Sequence, residues 1–316
     1  MTNLGKIALF GAAGAVGNAL RPVLAQRGEP YRVVGRDASR LSTFEGAEAI
    51  SADFLSGEGL DDAASGVDTV IYLAGAPYDH FERHPVMTRN ALEAAKRAGV
   101  KRFVHIAPVY SYGPAKSNPV PESQPHAPVT KKGRYRLEQE QLVLQGNGDG
   151  LRTLILHLPD FYGPDADNSF ANYFMGEAVA GKNATFIGPL NVQRDFIYVP
   201  DVAEPILQLA AFDDVWGRYW NLGSTGPLTG AELAKFVFAH LGKPERMQSV
   251  PKIALQLFGL FNPIMRELVE MYYLYTSPFI LDDSQLRAKL GSLKKTPYAD
   301  GVSATLDWMK AKATSG

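Results

Sequence analysis

Three glycines near the start of the chain separate a short apolar run from a helix-forming stretch. Lys6–Phe10 is predicted to be a strand and Ala15–Arg27 a helix, and the turn between them, Gly11–Gly17, has the sequence GAAGAVG. In such a turn the first glycine allows a tight bend, the second lets the backbone approach a pyrophosphate, and the third permits close helix–strand packing. The helix N-terminus faces the turn and favours an anion there. The segment therefore predicts the first βα unit of a dinucleotide-binding sheet.

Apolar strands and amphipathic helices alternate through the first half of the chain. Further strands are predicted at Tyr31–Val34, Val67–Leu73, Arg102–Ile106 and Thr153–His157, and further helices at a stretch ending at Gly99, at Tyr135–Gln145, at Gly230–Leu241 and at Ile264–Tyr275. Continuous apolar strands separated by helices indicate a parallel sheet covered on both faces. Right-handed crossovers then leave a Rossmann-type, doubly wound α/β fold.

Beyond about residue 160, Gly, Pro and aromatic residues become more frequent. We therefore expect a dinucleotide-binding domain over residues 1–160 and mainly a smaller C-terminal substrate lobe over residues 161–316. Asp195–Val199 still has strand character, so residues of about 190–215 are expected to return to the first domain. The proline-rich segment Gly113–Val129 is predicted to be an irregular loop, either a surface linker or one wall of a cleft.

Composition excludes several functional classes. The chain of 316 residues has 32 Lys and Arg against 33 Asp and Glu, without a long run of one sign, so we expect neither a nucleic acid nor an anionic membrane as partner. It contains no cysteine, which excludes disulfides and thiolate metal sites. A membrane-spanning helix needs about 20 apolar residues, and no stretch qualifies. The first residues show no signal-peptide pattern, so a cytoplasmic protein is expected.

The end of the second predicted strand bears on the choice of cofactor. An acidic residue there takes the ribose hydroxyls of NAD, whereas an arginine accommodates the 2′-phosphate of NADP. Arg36 comes first and Asp37 follows it, so we predict NADP, with NAD as the alternative. Arg36 as a solvated charge at the strand end is a third possibility. Asp53 follows the presumed third strand, where its carboxylate could meet the adenine amino group.

An ordered series of motifs carries a family likeness along nearly the whole chain. Besides the glycine turn, the motifs are Tyr72–Gly75, Asn90 within Thr88–Ala95, Val100–Ile106, Phe161–Pro164, Gln193–Ala203, and Asn221–Gly223 followed by Thr229. In these residues the chain resembles the extended short-chain dehydrogenase/reductases, the NAD-dependent epimerase/dehydratase group whose members mostly act on nucleotide-activated sugars.

The glycine turn and this resemblance together assign residues to the cofactor. They are Gly11, Ala13, Gly14, Ala15, Val16, Gly17, Arg36, Asp53, Phe54, Leu73, Ala74, Gly75, Asn90, Lys132 and Pro159. The resemblance also implies a homodimer, formed by the helices at about Val86–Ala98 and Arg134–Gln145.

The catalytic motif of the family is where this chain departs from the resemblance. Family members use a Ser or Thr, a Tyr, and a Lys four residues after the Tyr. Here the serine position falls on Pro108, the tyrosine position on Lys132 and the lysine position on Arg136. Proline has no hydroxyl, and arginine does not deprotonate. The standard triad is therefore absent.

Neighbouring residues are candidates to replace it. Lys132, if partly desolvated beside a nicotinamide ring, could act as an acid or base, or it could contact phosphate or ribose without proton transfer. Tyr110 and Tyr112 lie just beyond the empty serine position, and Arg136 is the fourth catalytic candidate.

Substrate contacts are predicted at Asp160, Tyr162, Arg194 and Arg266. Arg194 matches an arginine that binds the substrate diphosphate in the family; the alternative is a salt bridge to Asp195 or Asp201. Asp160 replaces an amide, and its carboxylate disfavours a nearby phosphate. Arg266 is either a second anion contact or part of a surface ion pair.

No metal site is predicted. His80 and His84 have helical spacing, but Pro85 follows and no third ligand is evident. His157 ends a predicted buried strand, where a core histidine is expected.

Two functions remain open. The first is an NAD(P)-dependent epimerase, dehydratase or reductase with a degenerate triad, acting on a small molecule such as a nucleotide sugar. The second is a non-catalytic NADP-binding sensor or regulatory protein.

Overall fold

The computed structural model describes residues 3–148 and 150–315. Its strands are β1 Ile7–Phe10, β2 Tyr31–Gly35, β3 Glu48–Ser51, β4 Thr69–Tyr72, β5 Arg102–Pro108, β6 Arg152–Leu158, β7 Asp160–Tyr162, β8 Ala184–Ile187, β9 Gln193–Arg194, β10 Phe196–Tyr198, β11 Tyr219–Asn221, β12 Leu228–Thr229 and β13 Met247–Val250. Its α-helices are α1 Ala15–Arg27, α2 Ala38–Leu41, α3 Leu60–Ala64, α4 Arg83–Arg97, α5 Lys131–Gln145, α6 Phe170–Val179, α7 Ala203–Ala210, α8 Gly230–Leu241, α9 Lys252–Gly259, α10 Pro263–Met271, α11 Tyr273–Thr276, α12 Ser284–Leu290 and α13 Tyr298–Ser315. Short 3-10 helices follow β5 at Val109–Tyr112 and β10 at Val199–Val202.

A seven-stranded sheet forms the centre of the molecule, in the order β11-β6-β5-β4-β1-β2-β3. Every neighbouring pair in it is parallel. From β1 the chain builds outward to β3, returns to β4 on the other side of β1, and builds outward again. The order therefore reverses between β1 and β4, which places a ligand crevice at the carboxyl ends of these two strands. This confirms the predicted Rossmann-type, doubly wound α/β fold.

Helices cover both faces of this sheet, as continuous apolar strands require. On one face, Leu20 and Leu24 of α1 and Ile206 of α7 pack in the core with Leu286 of α12. On the other face, α3, α4 and α5 pack over a second core that includes Phe103 of β5. None of the described helices is long and apolar enough to cross a membrane.

The C-terminal lobe has its own core. There α6, α8 and α13 surround Phe174 and Phe186, while β8 pairs with β13. A further apolar group, which includes Leu255 and Leu268, joins α9 to α10 and α11. Two small sheets, β7 with β10 and β9 with β12, connect this lobe to the ends of the central strands.

The return of the C-terminal half to the first domain differs in detail from the expectation. The strand expected around Asp195–Val199 is β10, and it pairs with β7 and not with the central sheet. The elements that do return are α7, β11 and α12, so the returning part extends well beyond residue 215. Segment 113–129 contains no described helix or regular strand, and Val120 within it bridges to Leu281.

Candidate cofactor and substrate site

The glycine turn between β1 and α1 has the geometry that a dinucleotide needs. Gly11 has a positive φ of 91°, and a Cβ there would lie 2.6 Å from the Ala74 backbone. A Cβ at Gly17 would overlap the Ala12 carbonyl oxygen. Gly14 is the N-cap of α1 without a side-chain cap, and a Cβ there would meet only the Gly11 oxygen, at 3.9 Å. The first turn of α1 therefore presents its N–H groups to open space, which fits a pyrophosphate.

Two arginines follow β2, and one of them, Arg40 on α2, reaches this turn. Arg36 is exposed, and Arg40 donates from Nη2 to the Ala13 carbonyl oxygen at 2.5 Å. Between them, the Asp37 carboxylate caps α2 by accepting from the Ser39 and Arg40 backbone N–H groups at 3.0 and 3.4 Å. Hydrogen bonding, first of all from the Ser39 side chain, lowers the pKa of Asp37. Arg40 was not among the predicted contacts; its only signal is the four-residue spacing from Arg36.

The loop after β3 is held by two of the predicted cofactor residues. Asp53 Oδ1 accepts from the backbone N–H of Leu55 at 2.7 Å. Asn90 Nδ2 donates to the Phe54 and Leu55 carbonyl oxygens, each at 3.0 Å. The Phe54 side chain itself lies in the core, in edge contact with the rings of Phe10 and Tyr72. Asp53 and Asn90 therefore hold the loop, and the Phe54 side chain is not available to a ligand.

Small residues after β4 leave the crevice open. Leu73 donates from its backbone N–H to the Phe10 carbonyl oxygen at 2.7 Å, which keeps this segment beside β1. Ala74 contacts Gly11, and Gly75 is exposed, with no atom near the position of a Cβ. Pro159 is buried directly after β6.

Lys132 is buried, with a relative exposure of only 3%. Its ammonium donates to the carboxylates of Glu267 and, at 3.3 Å, Glu270, both on α10. It also lies over the rings of Tyr78 and Phe81, 5.1 and 5.3 Å from their centroids. α5 begins at Lys131, earlier than predicted, because the Thr130 hydroxyl caps it by accepting from the Gly133 N–H.

Arg136 lies one turn further along α5. It donates from Nη1 to Gln139 Oε1 at 2.8 Å, and its guanidinium lies 5.1 Å from the Phe81 ring centroid. Burial lowers the pKa of Arg136 to about 10, so it is charged at neutral pH.

The two tyrosines predicted as catalytic residues have different environments in the 3-10 turn after β5. Tyr110 is half-buried and stacks on Phe81, with 6.1 Å between the ring centroids. Burial, and then the nearby Asp160 carboxylate, raise the pKa of Tyr110 to about 12. Tyr112 is buried, and its hydroxyl donates to Asn221 Oδ1 at 2.9 Å. The prediction of Tyr112 as a catalytic residue is wrong, because its hydroxyl is committed to the core.

The residues predicted to contact the substrate also lie in different environments. Arg194 pairs with Asp160 at 2.6 Å between Nη2 and Oδ2, so the alternative of a salt bridge is realised, but its partner is neither Asp195 nor Asp201. The prediction of Tyr162 as a substrate contact is wrong as well, because its ring is buried in the second lobe against Tyr198 and Tyr298. Arg266 is exposed to solvent on α10.

A buried cluster not foreseen in the sequence lies beside this region. The Glu140 carboxylate is 3.0 Å from His126 Nδ1 and 3.1 Å from His157 Nε2. Potential ligand atoms of these three residues lie within 4.8 Å of one another. Burial would raise the pKa of Glu140, but the His157 imidazole and the hydrogen bonds lower it to about 2. Each carboxylate oxygen thus has its own imidazole partner. His80, by contrast, pairs with Glu82, and His84 is buried.

Comparison with known proteins agrees with this geometry. The model of the NAD dependent epimerase/dehydratase family matches residues 7–223. The chain belongs to the NAD-dependent epimerase/dehydratase family. This confirms the resemblance found in the sequence.

Relatives within the NAD-dependent epimerase/dehydratase family are distant. A dTDP-glucose 4,6-dehydratase from Streptomyces niveus is 22% identical over 83% of this chain and 75% of its own length. A 4-hydroxy-2-methyl-3-oxo-4-farnesyl-3,4-dihydroquinoline-1-oxide ketoreductase from Stigmatella aurantiaca is 25% identical over 93% of both chains. Among solved structures, MoeE5 in complex with UDP-glucose and NAD has a TM-score of 0.82 at 22% identity, covering 98% of this chain and 100% of its own. These relatives include sugar-nucleotide dehydratases and reductases, which are enzymes.

Proposed function

We propose that this protein is an NADP-dependent oxidoreductase that interconverts a carbonyl and a carbinol at the carboxyl ends of β4 and β5. The observation that carries the proposal is the grouping of three polar side chains around one ring. Tyr110, Lys132 and Arg136 all contact Phe81, with 6.1, 5.3 and 5.1 Å to its ring centroid. Their hydroxyl, ammonium and guanidinium groups therefore share a site beside the crevice that begins at the glycine turn.

The residues present fit the cofactor. The Gly11–Gly17 turn would hold the pyrophosphate, and Leu73–Gly75 would line its path. Arg36 and Arg40 would hold a 2′-phosphate. Asp37 is occupied in capping α2, so it is poorly placed to take the ribose hydroxyls of NAD. This arrangement supports NADP over NAD.

The chain's own groups supply the acid–base part of the reaction. A bound nicotinamide dinucleotide would donate or accept a hydride at the substrate carbon. The Tyr110 hydroxyl, neutral at physiological pH, donates a hydrogen bond to the substrate oxygen and polarises it. Lys132 gives its proton to that oxygen during reduction, and takes it back during oxidation. Arg136, always charged, orients the cofactor side of the site.

Turnover by Lys132 variants tests the proposal. With a carbonyl substrate and NADPH, Lys132→Ala is expected to lower kcat by about a hundredfold, since positioned proton transfer contributes that much or more. Lys131→Ala, at an exposed neighbour on the same turn, is the matched control and keeps its activity. Unchanged turnover in Lys132→Ala would contradict the role of Lys132.

Two observations favour a second candidate, a non-catalytic NADP-binding sensor. Pro108 offers no hydroxyl, and the Lys132 ammonium is already held by two carboxylates. Such a protein would bind NADPH tightly and leave its absorbance unchanged with every carbonyl compound and sugar nucleotide supplied.

A homodimer through α4 and α5 is part of the proposal. Both helices lie side by side on one face of the sheet, and Val86 on α4 is 45% exposed. Light scattering after gel filtration should give twice the monomer mass, and Val86→Glu should shift it toward the monomer.

A further inference from the structure

The guanidinium of Arg194 is fully engaged within the protein. It is 4% exposed, donates to Asp160 at 2.6 Å, and lies over the rings of Tyr275, Phe196 and Phe186 at 4.5, 4.8 and 5.3 Å. A diphosphate ligand would have to displace the Asp160 carboxylate or lie beside it. The Asp160 carboxylate, although partly exposed, would lie next to the phosphates and repel them, so the ion pair opposes such a ligand.

The second cation at this end of the sheet is engaged in the same way. The Lys132 ammonium forms ion pairs with the carboxylates of Glu267 and Glu270. Arg136, the third, faces Phe81 and is assigned to the cofactor under the proposed function. Among the described residues, the two buried cations on the substrate side, Arg194 and Lys132, therefore each have a carboxylate partner, and Arg266 is exposed to solvent on α10.

Three further tyrosines, Tyr78, Tyr273 and Tyr275, lie close enough to Tyr110 to interact with it electrostatically. Tyr78, Tyr110 and Tyr273 are half-buried, and Tyr275 is buried. Burial raises the pKa of each of these four tyrosines, so their hydroxyls stay protonated near neutral pH. The Tyr273 hydroxyl is buried and has no hydrogen-bond partner in residues 3–148 and 150–315. This hydroxyl is therefore available to hydrogen-bond a polar group of a ligand.

From these contacts we infer that the substrate is a neutral carbonyl or carbinol compound with an apolar or aromatic body, and that Asp160 excludes nucleoside diphosphate sugars by neutralising Arg194. The inference rests on the proposed oxidoreductase function. It makes Asp160 a specificity-determining residue, and it gives the Tyr273 hydroxyl a polar group of the substrate to bind.

Calorimetric titration of the NADP-loaded protein with UDP-glucose tests the role of Asp160. The unaltered protein should show no saturable binding at millimolar ligand. Asp160→Asn frees the Arg194 guanidinium and should raise the affinity at least about tenfold, as a charge-assisted hydrogen bond would. Asp160→Asn/Arg194→Gln should lose that gain. Asp167→Asn is the matched control, because Asp167 pairs with Lys312 at the surface.

A variant that removes the whole ion pair keeps the test decisive if Asp160→Asn does not fold. Arg194 is buried and Asp160 is partly exposed, and apolar residues are often tolerated in place of such a pair, so Asp160→Leu/Arg194→Met should fold. It should bind UDP-glucose no better than the unaltered protein, because the guanidinium is removed together with the carboxylate. Tyr273→Phe should raise KM for an aromatic or alicyclic ketone, with NADPH, by about fivefold, the equivalent of one neutral hydrogen bond.

Several outcomes would overturn the inference. They are Arg194-dependent binding of UDP-glucose by the unaltered protein, no gain in Asp160→Asn, and binding of UDP-glucose by the folded double variant that lacks Arg194. Failure of the proposed function looks different, since neither ketones nor UDP-glucose would then be turned over. Turnover of UDP-glucose alone would contradict the substrate class and leave the oxidoreductase function standing.

Discussion

The Lys132 ammonium donates a hydrogen bond to the carboxylate of Glu267, which lies 135 residues later in the chain. Glu270, one turn further along α10, accepts from the same ammonium and from the backbone N–H groups of Lys131 and Lys132. Carboxylates at a helix N-terminus also complement its dipole. α10 is therefore held to the first turn of α5 by charge, directly over the site proposed for chemistry.

Removal of the Lys132 ammonium should loosen α10. Lys132→Met leaves Glu267 and Glu270 without their cation, and both side chains are about a quarter exposed, so solvent screens part of the loss. We expect a decrease of about 2 kcal/mol in the free energy of unfolding and faster hydrogen exchange of the α10 amides. Lys131→Met is the control. Unchanged exchange in α10 would show that the ion pair does not hold the helix.

Substitution of two glycines in the cofactor turn should separate binding from folding. Gly14→Ala places a methyl group where only the Gly11 oxygen is near, at 3.9 Å, and its backbone φ of −94° suits alanine. We expect a melting temperature close to that of the unaltered protein and a Kd for NADP at least about tenfold higher, because the methyl group meets the pyrophosphate. Fluorescence titration measures the Kd.

Gly17→Ala should behave differently. Its Cβ would overlap the Ala12 carbonyl oxygen, so the turn itself must shift. We expect a melting temperature several degrees lower than that of the unaltered protein, or failure to fold. If both variants have the same melting temperature and the same Kd for NADP, the distinction between a binding role for Gly14 and a packing role for Gly17 is wrong.

The fold was predictable because its signals are local. α1 and α8 have the bounds that the sequence predicts, and the sheet follows from apolar strands separated by helices. The site was predictable only in part. Its ion pairs, Lys132 with Glu267 and Arg194 with Asp160, join residues that are distant in the sequence, and no spacing rule connects them. Tyr112 was misassigned because sequence position does not tell which side of a short 3-10 turn faces the crevice.

Tyrosine-to-phenylalanine substitutions should separate the two positions of that turn. Tyr112→Phe leaves Asn221 Oδ1 without its donor in the core, so it should cost about 1–2 kcal/mol in stability and leave kcat unchanged. Tyr110→Phe should keep the stability and lower kcat/KM at least about tenfold, because a donor to the substrate oxygen is lost. Urea unfolding measures the stability of each variant, and steady-state assays measure its kcat and kcat/KM. The reverse pattern would exclude Tyr110 from the proposed chemistry.

Charge removal at the end of β2 should change the choice of cofactor. Arg36→Ala/Arg40→Ala should raise KM for NADP at least about tenfold and leave KM for NAD within about twofold, because only the 2′-phosphate loses its partners. Arg27→Ala, at the far end of α1, controls for a general change of charge. Equal effects on both cofactors would indicate that the arginines support the turn through Ala13 and do not read the phosphate.

Acid should destabilise the protein through a buried histidine. His105 of β5 is 1% exposed and lies 5.5 Å from the Tyr72 ring centroid. Burial lowers the pKa of His105 from 6.5 to about 3; the Glu140 charge opposes this shift, and the Arg136 and His157 charges add to it. The neutral form is thus favoured in the folded protein. Its contribution to stability is present above pH 6.5 and is lost as the pH falls toward 3.

The His105→Phe variant should lose much of this sensitivity. Between pH 7 and pH 5, protonation of His105 in the unfolded chain alone should lower the free energy of unfolding by about 2 kcal/mol. Phenylalanine keeps an aromatic ring beside Tyr72 and does not titrate. The free energy of unfolding of the variant should therefore fall by about 2 kcal/mol less over the same interval. Urea unfolding at the two pH values measures both differences, and His240→Phe, at a surface histidine paired with Asp307, is the control. Parallel losses in the unaltered protein and His105→Phe would show that His105 is not held neutral by burial.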